Sequence, residues 1–89
     1  MTAHQNEQFT LAEMRTGQTG TVVEIQGGHD LIRRLDALGI RPGRKVNKLS
    51  STLFRGPITL RVNNSRVAVG FGMARKIIVE VDKYLPRAS

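Results

Sequence analysis

His4 and His29 are the chain's only histidines, and its 89 residues include no cysteine. Thiol catalysis, zinc ribbons, iron–sulfur clusters and disulfide frameworks are therefore excluded. The two histidines are far apart, so they do not form the i, i+4 pair that sets two ligands on one helix face. His29 stands beside Asp30 at a predicted helix N-terminus, where the dipole opposes a cation. It is the one candidate metal ligand, and a site built on it needs Asp30 and a second chain. Catalysis has no firmer footing. Seven acids are scattered through the chain, and no pattern sets a nucleophile beside a base. Gly17-Gln18-Thr19-Gly20 and Gly70-Phe71-Gly72 are rich in glycine, but neither matches a phosphate loop or a dinucleotide fingerprint. The expectation is a protein that is not an enzyme.

Charge is the stronger signal. Fourteen Lys and Arg against seven Asp and Glu give a net charge of +7. The excess is local, because residues 41–76 hold nine bases and no acid. Such a field favours an acidic protein, nucleic acid or anionic lipid. Stacking platforms for bases need clustered aromatics. Phe9, Phe54, Phe71 and Tyr84 are dispersed, so nucleic acid is not the expected partner. If Asn63-Asn64 is a two-residue turn, Arg61 faces Arg66 on the outer surface. Like charges directly opposite repel, and an anion or acidic side chain there would relieve the pair. A register shifted by two would separate them instead. Leu53-Phe54-Arg55 forms an apolar tip on a basic surface, which suits docking. The candidate partner-binding residues are thus Leu53, Phe54, Arg55, Arg61 and Arg66.

Strands must carry most of these residues. Residues 1–9 read as a flexible lead-in, 10–82 as one small domain, and 83–89 as a tail stopped by Pro86. Thr10-Leu11-Ala12-Glu13 fits a capping box, which Gly17 and Gly20 keep to about one turn. Residues 21–26 alternate, with Thr21, Val23 and Ile25 on the face opposite Val22 and Glu24. Gly27-Gly28 ends that strand. Leu31, Leu35 and Leu38 then recur at i, i+4, i+7, predicting one helix over 30–38. Gly39 suits a left-handed position just past the helix, and Ile40 the apolar contact that closes such an end. Pro42-Gly43 forces a turn. Leu35, Leu38 and Ile40 read as core, and Gly39, Pro42 and Gly43 as backbone geometry. Further strands are predicted over 44–50, 57–62, 66–70 and 77–81. Five short strands and one helix predict a mainly β fold, a small five-stranded barrel with one inserted α-helix.

Three segments carry a family resemblance. Residues 10–20, from Thr10-Leu11-Ala12-Glu13 to Gly17-Gln18-Thr19-Gly20, resemble an opening of the form L-x-x-L-x-x-G-x-x-G. Arg34-Leu35-Asp36-Ala37-Leu38-Gly39-Ile40-Arg41-Pro42-Gly43 resembles R-L-x-x-L-G-hydrophobic-x-P-G. Ala74-Arg75-Lys76-Ile77-Ile78-Val79-Glu80-Val81 resembles the closing strand. Together they are similar to the ferrous iron transport protein A family, which is FeoA-like. The chain departs from that pattern at Leu53-Phe54-Arg55-Gly56-Pro57, which lacks an acid, and at Lys48, where an apolar strand residue is common.

The resemblance implies an SH3-like barrel and a non-enzymatic accessory role in bacterial ferrous iron uptake. The implied partner is the membrane ferrous iron permease, contacted on its cytoplasmic part, which carries a GTPase domain. The alternative is a regulatory or metal-sensing SH3-like module, related to the C-terminal domain of iron-dependent repressors and binding a transition metal or nucleic acid. No ligand set carries over from the family, so no cofactor is assignable, and Fe(II) or another divalent transition metal is the ion to test. No apolar run reaches the ~18–20 residues of a membrane span, and the polar start carries no export signal, so a cytoplasmic location is expected. Self-association as a homo-oligomer stays open.

Overall fold

Apolar and polar residues alternate along the strands, and glycine, proline and asparagine mark where they end. The computed structural model describes residues 6–51 and 55–82. One antiparallel sheet holds β1 (Asn6–Thr10), β2 (Thr19–Ile25), β3 (Lys45–Ser51), β4 (Ile58–Val62), β5 (Ser65–Val69) and β6 (Ile77–Asp82). Their order is β1-β6-β2-β3-β4-β5. A 3-10 turn at Leu11–Glu13 follows β1, α1 (His29–Ala37) joins β2 to β3, and α2 (Phe71–Ala74) joins β5 to β6. The two ends of the sheet approach where α2 packs against the 3-10 turn. The fold is mainly β with an inserted helix, as the pattern predicts.

The core is aliphatic. Ile58, Leu60 and Val62 of β4 point inward, as their alternation requires, and meet Val22, Val46, Val69 and Val79. Leu35 and Ile40 close one end of this core and Leu11 and Ala74 the other, all four fully buried.

The turns follow their residue types. Gly39 has φ +87°, and its N–H donates to Asp36 O at 2.9 Å while the Ile40 N–H donates to Leu35 O at 2.9 Å. These two bonds form the paired closure that satisfies the last carbonyls of a helix. Pro42 and Gly43 form the centre of a tight turn closed by the Arg44 N–H on Arg41 O at 3.0 Å, with Gly43 at φ +93°. A proline followed by a residue of positive φ is the type II pattern. Asn63 and Asn64 have φ of +52° and +66° and join β4 to β5 as a two-residue hairpin turn.

Three expectations need correction. Residues 6–9, read as lead-in, belong to β1, where Gln8 pairs with Glu80 and Phe9 with Val79. The described residues therefore form six strands, the five expected and this one. Glu7 and Gln8 are exposed, and backbone bonds to β6 rather than side-chain burial define the strand. Its sequence thus has no full apolar alternation to show. In β2, Val22 is the buried side chain, beside the buried Gly20, while Thr21, Val23 and Ile25 are half-buried. A register shift between Val22 and Glu24 rotates the strand's faces there. Leu38, read as core, is 38% exposed, because the helix ends at Ala37 and the chain turns inward only at Gly39 and Ile40.

Candidate functional site

Pairing across the hairpins places Lys45, Arg61 and Arg66 on one outer face. Thr19 pairs with Asn47, Asn47 with Arg61, and Arg61 with Arg66, making one row across β2, β3, β4 and β5. Lys45 lies two residues from Asn47 on β3, on the same face, opposite Thr21. Arg61 directly faces Arg66, so the two-residue turn holds and the shifted register does not. Both arginines are exposed. Among the described residues neither side chain has a hydrogen bond or a carboxylate partner. No acid occurs from Lys45 to Val69. Glu80 lies across β2 from Lys45, about 10 Å away at strand spacing.

A cleft of 370 Å³ opens at the edge of this row, lined by Arg44, Lys45, Asn47, Arg61, Asn63 and Asn64 among others. Two of its walls are held in place. Arg44 Nη1 donates to Asn63 Oδ1 at 2.8 Å, tying the turn after α1 to the β4–β5 hairpin. Asn47 Nδ2 is directed at Thr19 Oγ1 at 2.9 Å and at the carbonyls of Gly17 and Gln18 at 3.2 Å. The donors left over belong to Lys45, Arg61 and Arg66. Guanidinium and ammonium groups without acids recognise carboxylate or phosphate oxygens.

Behind this face, Lys48 is only 3% exposed. Its Nζ donates to Leu11 O at 3.5 Å, Ala12 O at 3.2 Å and, most closely, Met14 O. Among the described residues no carboxylate accompanies it. Burial pushes its pKa below the ordinary lysine value of 10.5. The ammonium satisfies the carbonyls of the 3-10 turn from inside the sheet, which makes it structural.

The other sequence-derived candidates fall elsewhere. Leu53 and Phe54 lie outside the described residues. Arg55 is exposed, with its guanidinium carbon 5.8 Å from the centre of the Phe71 ring, within cation–π reach. Phe71 lines a second cleft of 320 Å³ with Thr10, Ala12, Glu13 and Arg75, where the two ends of the sheet approach. Arg55 is therefore not part of the Arg61–Arg66 row. His29 is exposed, and its neighbour Asp30 is taken up by Arg33 Nη2 at 3.0 Å. Among the described residues no group of three or more His, Asp or Glu is placed to hold a metal ion. Among the same residues no helix is long and apolar enough to cross a membrane.

Sequence reasoning missed Arg44, Lys45 and Asn47. Their place depends on the β2–β3 register, which no local pattern prints. Lys48 was readable, since it has the parity of the inward Val46.

Comparison with known proteins extends these observations. The model of the FeoA domain matches residues 9–81. A protein of Methanocaldococcus jannaschii named Fe(2+) transport protein A is 32% identical over 76 residues, covering 85% of this chain and 90% of its own length. The crystal structure of an iron uptake regulatory protein (FeoA) superposes with a TM-score of 0.75 at 37% identity, covering 82% of this chain and 95% of that one. A manganese-dependent transcriptional repressor superposes with a TM-score of 0.77 at 26% identity, over 88% of this chain but 43% of the repressor.

Proposed function

The chain belongs to the FeoA domain family of ferrous iron transport, and from that premise we propose that it is a non-enzymatic accessory protein that docks on the cytoplasmic part of the Fe(II) permease. Its fold is the SH3-like barrel shared with FeoA proteins. The observation that carries the docking is the acid-free face of β3, β4 and β5. It presents Lys45, Arg61 and Arg66 on a rigid sheet, with their charges unneutralised among the described residues. A fixed basic surface speeds and orients encounter with an acidic one. On this reading the protein works in the cytoplasm, beside the permease's GTPase domain.

The test is a titration of the immobilised soluble domain of the permease at low and moderate salt. Binding that weakens as salt rises is expected, since exposed charges are screened beyond about 8–10 Å at physiological ionic strength. No binding at either salt concentration overturns the docking.

The likeness to the manganese-dependent repressor favours a second reading, a regulatory module of the same fold. That reading requires affinity for duplex DNA with a steep salt slope. A gel shift with random duplex separates the two.

A further inference from the structure

We propose that the outer face of β3, β4 and β5 is a receptor for an extended acidic protein segment, whose carboxylates at alternate positions engage Arg61 and Arg66 at one end and Lys45 at the other. This rests on the docking reading above only for the identity of the partner; the chemistry stands on the face itself.

The hairpin geometry is the starting point. Val62 and Ser65 flank the two-residue turn, so they form the hydrogen-bonded pair of the ladder. Arg61 and Arg66 come next, as a non-hydrogen-bonded pair with Cα atoms about 4.5 Å apart, the closer of the two spacings. Two guanidinium groups so placed repel, and a carboxylate shared between them removes the repulsion while accepting from both. Lys45 sits two strands across and two residues along, about 12 Å from Arg66. One phosphate or one carboxylate does not reach both ends. An extended segment repeats its side chains on one face every ~7 Å, so acids at i and i+2 or i+4 cover the distance.

The surroundings select against other partners. The row contributes Thr19 and Asn47 and no aromatic side chain, so it offers no surface on which bases stack. It has no exposed large apolar residue to enter a bilayer. Arg44 is held by Asn63, and Asn47 by Thr19 and two carbonyls, so the cleft wall is already ordered. Binding then orders only the arginine and lysine tips, which lowers its entropic cost.

The experiment uses the full chain and a fluorescently labelled peptide of alternating Glu and Thr, read by anisotropy at two salt concentrations. Arg61→Gln and Arg66→Gln should each weaken binding about fivefold, the upper end for an exposed ion pair. Arg34→Gln, which removes the same charge from exposed α1, should leave it unchanged. Thermal melts accompany each variant, and Arg66→Gln should melt no lower than the parent, because it relieves a like-charge pair. Equal weakening by Arg34→Gln would overturn the site in favour of diffuse charge. Tighter binding of a random DNA duplex than of the peptide would overturn the choice of partner. Saturation by inorganic phosphate with no affinity for the peptide would reduce the face to a small-anion site. Permease binding that survives Arg61→Gln and Arg66→Gln would sink this face and leave the docking function standing.

Discussion

Lys48 donates to the carbonyls of Leu11, Ala12 and Met14 from a position almost closed to water. An aliphatic residue there fills the same space but takes this donor from the Ala12 and Met14 oxygens, while the Leu11 oxygen keeps the Met14 N–H. Lys48→Met is therefore expected to cost about 1–3 kcal/mol, the range for orphaning buried polar groups. Urea unfolding measures the loss, and faster amide exchange around the 3-10 turn locates it. The lysine also predicts a pH effect. Burial lowers its folded pKa below 10.5. Between that lowered value and 10.5 the unfolded chain still holds the proton that the folded chain has released, so stability rises with pH across that window. The stability difference between the parent and Lys48→Met should grow as the pH rises toward 10.5, and a flat difference would refute the assignment. A lysine in a strand reads as solvent-facing by default. Only its shared parity with Val46, together with knowledge of what lies beneath it, shows otherwise. Arg61 and Arg66 were legible for the opposite reason, because two asparagines suffice to define the turn that pairs them.

At the scale of elements, α1 and the turn after it show which signals are local. The left-handed Gly39, the buried Ile40 and the Pro42-Gly43 turn all follow from residue type and were legible in full. The depth of each leucine was not, since periodicity gives a face but not what covers it. Leu35 is fully buried and Leu38 is 38% exposed. Leu35→Ala should cost about 2–5 kcal/mol, as truncations in a packed core do. Leu38→Ala should stay within about 0.5 kcal/mol, as at other surface positions. Equal losses in chemical denaturation would contradict the burial. Gly39→Ala places a Cβ 3.3 Å from Val62 Cγ1 at φ +87°. A loss of about 1–3 kcal/mol is expected from the backbone alone. Gly39→Asn should lose less, since asparagine tolerates the left-handed region. β1 was illegible for a physical reason. As an edge strand it is held by main-chain bonds to β6, which any sequence of suitable conformation can form.

For the whole molecule, the sheet separates its charges: β3, β4 and β5 carry bases without acids, while Glu80 lies on β6. The acid-poor half is one continuous surface, which is why the charge excess was legible before any strand was placed. The strand order carries a further prediction. Removing residues 1–10 strips β1 from β6 and exposes a five-residue edge, Ile78 to Asp82. A bare edge is a template for a second chain, so the shortened protein should melt lower and associate with rising concentration. Sedimentation velocity would show this, and a stable monomer with an unchanged melt would contradict it. That order also bears on how the protein is made. β6 lies between β1 and β2, so the sixth of the described strands to leave the ribosome joins the first two. Until residues 77–82 emerge, β1 has no ladder to enter, while the β3–β4–β5 meander already has all its neighbours. The nascent chain therefore completes its basic half first and holds its amino-terminal segment open to other chains until residues 77–82 emerge, the interval in which non-local β pairing is most exposed to error.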